Sequence, residues 1–384
     1  MLSVSAPAYV PKRTHRLAVG AMFFLLGLCF ASWASRIPSI QQKLGFSDAV
    51  LGLVLFAMPV GLMVSLPIAG WLIAKEGSRK VIVAALLLYS VTLVGLGWAQ
   101  NLVQLSVCLF VFGFASNTAN ISVNTQAVGV EALYGKSIMA SFHGLWSLAG
   151  FAGAAIGTFM NGLGIVPGQH FILIMATGVA GAAICSRYLL SEDHNVNPDQ
   201  PIFVKPDKGL LTLGLIAFFS LICEGAMFDW SGVYFKKIVQ PGPALVGAGF
   251  TAFMSTMALG RFGADWFKDR FGLRRTLQLS GALTAGGLLL AVAVPVFATA
   301  VLGFFLVGFG VSSVVPLVYS AAGKSKTMSP GSALAAVSTI GFLGFLLGPP
   351  MIGLVAGATS LRVSFILVAI MGMATATVAT KAKL

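Results

Sequence analysis

Charged residues are scarce in this sequence. Only 9% of its 384 residues are Asp, Glu, Lys or Arg, whereas 57% are hydrophobic, and the mean hydropathy is +0.93. A chain of this composition has too little polar surface to enclose its apolar side chains in a water-soluble core. The composition therefore excludes a soluble globular domain and predicts a protein embedded in a lipid bilayer.

Motifs for metal, disulfide and nucleotide chemistry are also missing. The four cysteines, Cys29, Cys108, Cys185 and Cys223, lie within apolar segments and show neither CxxC nor Cys/His spacing. This pattern predicts no metal site and no disulfide framework. No GxxxxGK[ST] loop is present, so nothing in the sequence indicates ATP hydrolysis. We expect no cofactor, no metal and no catalytic residue.

Apolar segments long enough to cross a bilayer occur twelve times. A helix needs about 20 apolar residues to cross about 30 Å of hydrocarbon. The predicted spans are 17–38, 48–74, 80–98, 102–128, 137–162, 169–190, 209–238, 244–266, 276–297, 299–322, 330–357 and 360–380. A polar linker, 191–208, follows the sixth span. We predict an all-α membrane protein with two six-helix bundles, 17–190 and 209–380, and short tails at 1–16 and 381–384.

The two predicted bundles repeat each other in sequence. Residues 150–157 read GFAGAAIG, and residues 341–348 read GFLGFLLG. Further matches are those of 113–115 with 308–310 and of 77–80 with 272–275. Parallel halves of about six spans each are an architecture of secondary transporters. Glycines spaced by four predict a smooth helix face, used either for sliding during transport or for tight packing alone.

Lysine and arginine cluster on one side of the predicted bilayer. With the N-terminus placed in the cytoplasm, only Lys43, Lys236, Lys237 and Arg362 fall outside. Because positive loops are retained in the cytoplasm, we predict a multi-pass protein of the bacterial inner membrane with both termini cytoplasmic. The net charge of +13 follows from this distribution and gives no reason to expect a nucleic-acid partner.

Two loops resemble the signature of a known transporter family. The loop after span two carries GWLIAKEGSRK at 70–80, and the loop after span eight carries DWFKDRFGLRR at 265–275. Both resemble the Gly-three-any-Asp-Arg-any-Gly-Arg-Arg signature of the major facilitator superfamily. WASRIP at 33–38, EGAMFDWSG at 224–232 and GPP at 348–350 also resemble the bacterial branch related to fucose permeases. The resemblance implies two six-helix bundles around a central cavity that opens alternately to either side.

The resemblance also implies that charged residues of these loops close the cytoplasmic side. The candidate gate residues are Lys75, Arg79, Asp269, Arg270, Arg274 and Arg275. The acid of the signature can pair with a base or with a helix end. The first copy departs from the signature, since Ala74 stands at the acidic position and Ser78 replaces a base. We expect the second loop to dominate the latch; charges that only anchor the loops are the alternative.

Ionisable residues at membrane depth are the candidates for substrate binding and coupling, because an unpartnered charge is costly there. The clear cases are Arg36, Glu224 and Asp229. Glu224 lies near the middle of span seven, which predicts substrate contact or proton coupling; a permanently protonated or paired structural carboxyl is the alternative. Asp229 lies about 140° around the helix from Glu224. Arg261 and Asp265 are predicted at the cytoplasmic end of span eight, where snorkelling or a local pair explains them.

Arg36 and Asp229 lie at similar depths when Trp33 is aligned with Trp230 in the equivalent first helices of the two halves. Arg36 can then pair with Asp229 as an outer gate, present its guanidinium group to a carboxylate or hydroxyl-rich substrate, or snorkel to the outer interface. Trp230 is a further candidate at this depth.

Span four contributes a stripe of amides. Asn117, Asn120 and Asn124 share one helix face and are predicted to line the cavity, with interhelical packing as the alternative. The resemblance implies an acid near Asn120 in related sequences, so its absence shifts coupling to span seven. His143 on span five is predicted to contact substrate or relay protons; a packing histidine is the alternative.

These features predict a secondary active transporter that moves a small polar or amphipathic solute by alternating access, with proton coupling through Glu224. The expected partners are a small-molecule substrate, protons and the lipid bilayer, and the chain is expected to act as a monomer. One alternative is a transporter-like membrane sensor that binds without flux. The other is a membrane-embedded enzyme using His143 with an acid, although no nucleophile–base spacing is present.

Overall fold

A computed structural model describes residues 11–135, 138–193, 207–325, 328 and 330–381, and these residues fold into helices without strands. The α-helices are α1 Lys12–Leu44, α2 Asp48–Leu55, α3 Ala57–Glu76, α4 Ser78–Trp98, α5 Leu102–Tyr134, α6 Met139–Gly162, α7 Pro167–Cys185, α8 Lys208–Tyr234, α9 Ala248–Phe271, α10 Leu273–Ala293, α11 Phe297–Ser312, α12 Val314–Ala322, α13 Pro330–Ala358 and α14 Leu361–Lys381. Short 3-10 turns at Ser186–Tyr188 and Pro243–Leu245 and a π turn at Phe235–Val239 complete them.

Eleven helical segments of the described chain are long and apolar enough to cross a membrane. Helices α2 and α3 together form the predicted second span, and α11 and α12 form the tenth. Helix α6, with 24 residues, corresponds to the predicted fifth span. The predicted all-helical membrane fold is confirmed. Helix α1 begins within the predicted N-terminal tail, and most of the predicted linker, residues 194–206, lies outside the described residues.

Glycine forms the two tight turns that the sequence repeat matches. Gly77 separates α3 from α4 with φ 80° and ψ 147°, and Gly272 separates α9 from α10 with φ 78° and ψ 156°. A side chain at such a positive φ would be strained, so glycine is the residue that suits both turns. The matched sequences therefore adopt the same backbone in the two halves.

Close helix contacts repeat as well. A Cβ atom at Gly113 of α5 would lie 2.0 Å from the Met58 carbonyl oxygen of α3. A Cβ atom at Gly308 of α11 would lie 2.3 Å from the Phe253 carbonyl oxygen of α9. Likewise α6 packs on α1, and α13 packs on α8, so both glycine segments of the repeat serve tight packing within their own half. The sliding role stays a prediction.

The buried core runs through both halves. It includes the fully buried side chains of Trp33 and Phe250 and continues across α1, α6, α8 and α9. Large apolar side chains also lie on the outside, where Trp71, Phe159 and Trp266 are 59%, 65% and 62% exposed. An apolar exterior around a helical core is the arrangement that a bilayer requires, since helices satisfy their own backbone groups and lipid covers the side chains.

Candidate functional site at the interface of the two halves

Glu224 of α8 and Arg261 of α9 form an ion pair near the middle of both helices. Arg261 Nη2 lies 3.2 Å from Glu224 Oε1, and the two side chains are 19% and 7% exposed. Charges at this depth are retained when they have a partner or a water-filled cavity. The pair therefore explains how α8 accommodates a carboxylate at its centre.

The position of Arg261 corrects a prediction. The sequence placed it at the cytoplasmic end of span eight, explained by snorkelling or a local pair. Helix α9 instead continues to Phe271, because the turn that ends it forms only at Gly272. The apolar run is shorter than the helix, which brings Arg261 close to the helix centre and opposite Glu224. The side chain of Asp265 lies outside the described part of the structure.

Arg261 also reaches the other half of the molecule. Its Nη1 donates a hydrogen bond to Ser147 Oγ of α6 at 2.9 Å, and its Cζ lies 5.5 Å from the centroid of the Trp146 ring. Its Nε is buried and has no hydrogen-bond partner among the described residues. The Arg261 side chain therefore links the two halves, and its Nε–H donor is left without a partner among the described residues. Ser147 was missed by the sequence reasoning, since an isolated serine in an apolar helix gives no signal.

Two further polar side chains lie close to the pair. His143, one turn before Ser147 on α6, is exposed, lies near the Arg261 charge and makes an edge contact with Phe23 at 5.3 Å between ring centroids. Tyr319 of α12 lies near Glu224. The predicted histidine is therefore brought to the pair.

Aromatic rings from four helices form a wall beside the pair. Phe30 of α1 lies 5.9 Å from Trp146 of α6 and 4.9 Å from Phe228 of α8. Phe228 in turn lies 6.4 Å from Phe345 of α13. These rings pack against one another. The rings also form an apolar surface next to the Arg261 guanidinium, and both halves of the molecule contribute to this surface.

Asp229 and Trp230 lie further along α8 and apart from the pair. Asp229 is half-buried and forms no ion pair or hydrogen bond with another described residue. Trp230 is fully buried, and its Nε1 has no partner among the described residues. Their assignment to substrate binding stays a prediction.

Arg36 holds the end of α6 and does not pair with Asp229. Its side chain is 1% exposed, which also excludes snorkelling. It donates hydrogen bonds to the Gly157 carbonyl at 3.5 Å, to Asn161 Oδ1 at 3.3 Å and to the Ile165 carbonyl. These acceptors lie in the last two turns of α6 or just after it, where the helix end carries partial negative charge. They explain why the arginine is buried here.

The amide stripe of α5 divides between two roles. Asn117 is buried and donates to Ser65 Oγ of α3 at 2.8 Å, which is the interhelical packing named as the alternative. Asn120 is exposed, and Asn124 donates to its carbonyl oxygen at 2.8 Å. Cavity lining by Asn120 and Asn124 stays a prediction, whereas the Asn117 amide is already used.

The two halves are joined at the end of the molecule that carries Gly45, called here the Gly45 end. Polar contacts cross between the halves there, among them Lys237 Nζ to Asp48 Oδ1 at 2.5 Å, Lys236 Nζ to the Pro38 carbonyl at 3.1 Å and Asn161 Nδ2 to the Pro243 carbonyl at 2.9 Å. Helices α2 and α13 also meet there through their backbones: a Cβ atom at Gly353 would lie 2.7 Å from the Asp48 carbonyl oxygen and 2.7 Å from Gly52 Cα.

The opposite end, called the Gly77 end, carries the predicted gate residues. Lys75 lies 5.0 Å from the ring centroid of Trp71, and Arg79 Nε donates to the Ser186 carbonyl at 2.8 Å, so both contact their own half. The remaining four, Asp269, Arg270, Arg274 and Arg275, are exposed. No hydrogen bond or ion pair between two described residues joins the halves at this end. The role of these residues in a cytoplasmic gate stays a prediction.

Asp193 supplies an acid that the first signature loop lacks. Its carboxylate accepts a hydrogen bond from the Ser78 backbone N–H at 2.7 Å and a second from the Ser78 hydroxyl. Gln126 of α5 donates to the same hydroxyl at 2.7 Å. A carboxylate at a helix N-terminus is stabilising, so a residue distant in sequence holds the start of α4. The sequence reasoning missed this role because Asp193 lies in the predicted linker.

A cavity of about 700 Å³ lies between α6 and α9 toward the Gly45 end. Its lining includes Phe151, Thr158, Phe159, Thr251 and Ser255. None of the predicted binding residues lies in it, so this cavity is distinct from the site at Glu224.

Known proteins resemble the chain along nearly its whole length. The family model described as Major Facilitator Superfamily matches residues 19–240 and 213–382. An uncharacterized MFS-type transporter of Yersinia pestis is 34% identical over 370 residues, covering 95% of this chain and 94% of that protein. The membrane protein MosC of Rhizobium meliloti is 31% identical, covering 94% and 88% of the two chains.

Solved structures show the same fold at low sequence identity. A bacterial homolog to the human lysosomal transporter Spinster, in an inward-facing and unoccupied conformation, has a TM-score of 0.76 at 14% identity and covers 98% of both chains. A mutant of the nucleoside transporter NupG has a TM-score of 0.74 at 15% identity and covers 96% of this chain and 100% of its own. The narrower resemblance to the branch related to fucose permeases stays a prediction.

Proposed function

Since this chain belongs to the major facilitator superfamily, we propose that it is a secondary active transporter in which protonation of Glu224 is coupled to the movement of a small solute. Its relatives and its fold are those of membrane transporters and not of enzymes.

The observation that carries the proposal is the double attachment of Arg261. It holds Glu224 within its own half and Ser147 in the other half. Rocking of the halves breaks the second bond, so the state of the pair and the conformation of the molecule depend on each other. Glu224 Oε2 has no partner among the described residues, which leaves an oxygen that can take a proton.

We assign the closed Gly45 end to the outside and the open Gly77 end to the cytoplasm. This follows the predicted orientation, with both termini cytoplasmic in the bacterial inner membrane, and makes the structure inward-facing. The inward-facing conformation of the Spinster homolog is in keeping with it. In the opposite conformation, the gate residues Asp269, Arg270, Arg274 and Arg275, with Lys75 and Arg79, close the cytoplasmic side.

The remaining candidates extend the proposed solute path. We propose that His143, Asn120 and Asn124 line the solute path on the open side, and that Asp229 and Trp230 line it toward the closed side. Arg36 is left out of the path, because both of its terminal nitrogens donate hydrogen bonds at the end of α6. The chain carries this function as a monomer, since both halves of the site come from one chain.

Glu224→Gln tests the coupling. A solute is first identified by the rise it causes in the melting temperature of the purified protein at two pH values, because a ligand that binds the folded state stabilises it. In proteoliposomes we expect Glu224→Gln to retain counterflow of that solute and to lose accumulation driven by a pH gradient. Glutamine can neither take up nor release a proton, so solute movement is no longer coupled to proton movement.

Glu192→Gln is the matched control, because Glu192 is exposed at the start of the linker and its variant should accumulate solute as the wild type does. Accumulation by Glu224→Gln at the wild-type level would exclude coupling through this residue. Binding without counterflow in any variant, wild type included, would instead support the sensor alternative.

A further inference from the structure

Arg261 presents a half-used edge in the middle of the molecule. The edge consists of Nε–H and one N–H of Nη2; Nη2 donates to Glu224, and Nε is buried without a partner among the described residues. A carboxylate with two oxygens fits the Nε/Nη2 edge through two parallel hydrogen bonds. Glu224 uses only Oε1 and therefore fills half of it.

The charge balance of the site depends on Glu224. The groups that face it are Arg261 from α9 and Tyr319 from α12, and His143 from α6 faces Arg261. With Glu224 ionised, the pair is neutral. With Glu224 protonated, the Arg261 charge has no counter-charge, and an uncompensated buried cation is costly.

This balance selects the charge of the solute. A solute anion at Arg261 restores neutrality after Glu224 takes its proton. A solute cation would need ionised Glu224 and would still lie beside the positive charge of Arg261, which repels it. A neutral solute would leave the charge of Arg261 uncompensated when Glu224 is protonated. From the Nε/Nη2 edge and this balance we infer that the solute is an organic monoanion whose carboxylate replaces Glu224 on Arg261. The inference rests on the proposed function, because it takes the proton at Glu224 as given.

The surroundings specify the rest of the solute. Trp146 stacks on the Arg261 guanidinium, and Phe30, Phe228 and Phe345 continue the wall from there. The rest of an anion bound at Arg261 lies along these rings, where burial of apolar solute surface is favourable. The solute class is therefore a monocarboxylate with an apolar or aromatic body, taken up together with one proton so that the loaded site is neutral.

Binding of matched small probes to the purified full chain tests the inference without a gradient. The probes are phenylacetate, phenylethanol and phenylethylammonium, with hexanoate, hexanol and hexylammonium as an aliphatic set. We expect calorimetry to show binding of the carboxylates alone, with uptake of about one proton and affinity that falls about tenfold for each pH unit once Glu224 is ionised.

Variants separate the roles of the two residues. Glu224→Gln should bind the carboxylates without proton uptake and with little dependence on pH. Arg261→Gln should lose about a hundredfold or more in affinity, and Arg261→Lys should recover part of it, because lysine keeps the charge and lacks the two-donor edge. Arg187→Gln removes an exposed arginine and should bind as the wild type does.

Equal binding of a neutral or cationic probe would overturn the inference, and so would failure of both carboxylates to bind up to their solubility limits. Wild-type affinity in Arg261→Gln would overturn it as well. The proposed function fails separately. Binding of neutral solutes with proton uptake would support the coupling and contradict the inferred carboxylate. Binding of carboxylates without proton uptake would support the carboxylate on Arg261 and contradict the coupling.

Discussion

Basic side chains at helix C-termini account for much of the charge at the Gly45 end. Arg36 holds the end of α6, Lys43 Nζ donates to the Ala99 carbonyl after α4 at 2.9 Å, and Arg362 Nη2 donates to the Val292 carbonyl of α10 at 2.7 Å. Helices α4 and α10 are equivalents in the two halves, so the same solution occurs twice. These cations contact oxygen atoms at helix ends, which carry partial negative charge.

Arg36→Gln should destabilise the protein by about 1–3 kcal/mol, because a shorter neutral side chain leaves buried carbonyl groups without donors. Thermal unfolding in detergent measures the loss. Arg187→Gln removes an arginine at an exposed position and should change stability by less than about 0.5 kcal/mol. Equal melting temperatures for the two variants would contradict the capping role of Arg36.

The sequence predicted one partner of the central pair and missed the other. Glu224 was identified because an acid in the middle of an apolar segment is costly without a partner. Arg261 was assigned to the membrane edge because span ends were read from hydropathy, whereas α9 runs on to the glycine turn. Ser147 was missed because its role depends on α6 lying against α9, and only the packing of the two halves establishes that contact.

At the scale of elements, the contact of α2 with α13 closes the Gly45 end. Gly52 and Gly353 let the two backbones touch, and the Lys237–Asp48 ion pair lies beside them with side chains 40% and 16% exposed. Partly exposed pairs contribute little, about 0–1 kcal/mol. The backbone contact therefore decides whether the two halves can meet at this end.

Gly353→Ala should shift the protein away from this conformation. The added methyl group would overlap backbone atoms that cannot move aside as a side chain does, at a cost of about 1–3 kcal/mol. Distances between spin labels on the two halves at the Gly45 end should lengthen. Gly348→Ala is the control in the same helix, since a Cβ atom there has no neighbour within 4 Å. Unchanged distances in Gly353→Ala would show that the contact does not govern closure.

For the whole molecule, composition and the repeat were sufficient to predict the fold. Helices that cross a bilayer must be long and apolar, so their number and order follow from hydropathy. Helix breaks within a span, such as that between α2 and α3 at Phe56, and the closed or open state of each end could not be predicted. They depend on contacts between residues far apart in the chain.

Orientation gives the prediction that belongs to this scale. With both termini in the cytoplasm, green fluorescent protein fused to the C-terminus should fluoresce, and alkaline phosphatase fused after Gly164 should be active, because phosphatase folds only outside the cytoplasm. The four basic residues predicted outside, Lys43, Lys236, Lys237 and Arg362, each bind an oxygen acceptor, so they do not oppose this orientation. An active phosphatase at the C-terminus would reverse it.

The stretches 58–113 and 253–308 have equal length, and each carries the glycine turn and the glycine contact at corresponding positions. Descent of both halves from one duplicated gene explains this, with later insertions and deletions confined to other stretches. A polypeptide of one half alone would expose the surfaces that α2, α6, α9 and α13 bury against each other in this chain. One half alone would therefore need a second copy, inserted in the same direction, to cover these surfaces.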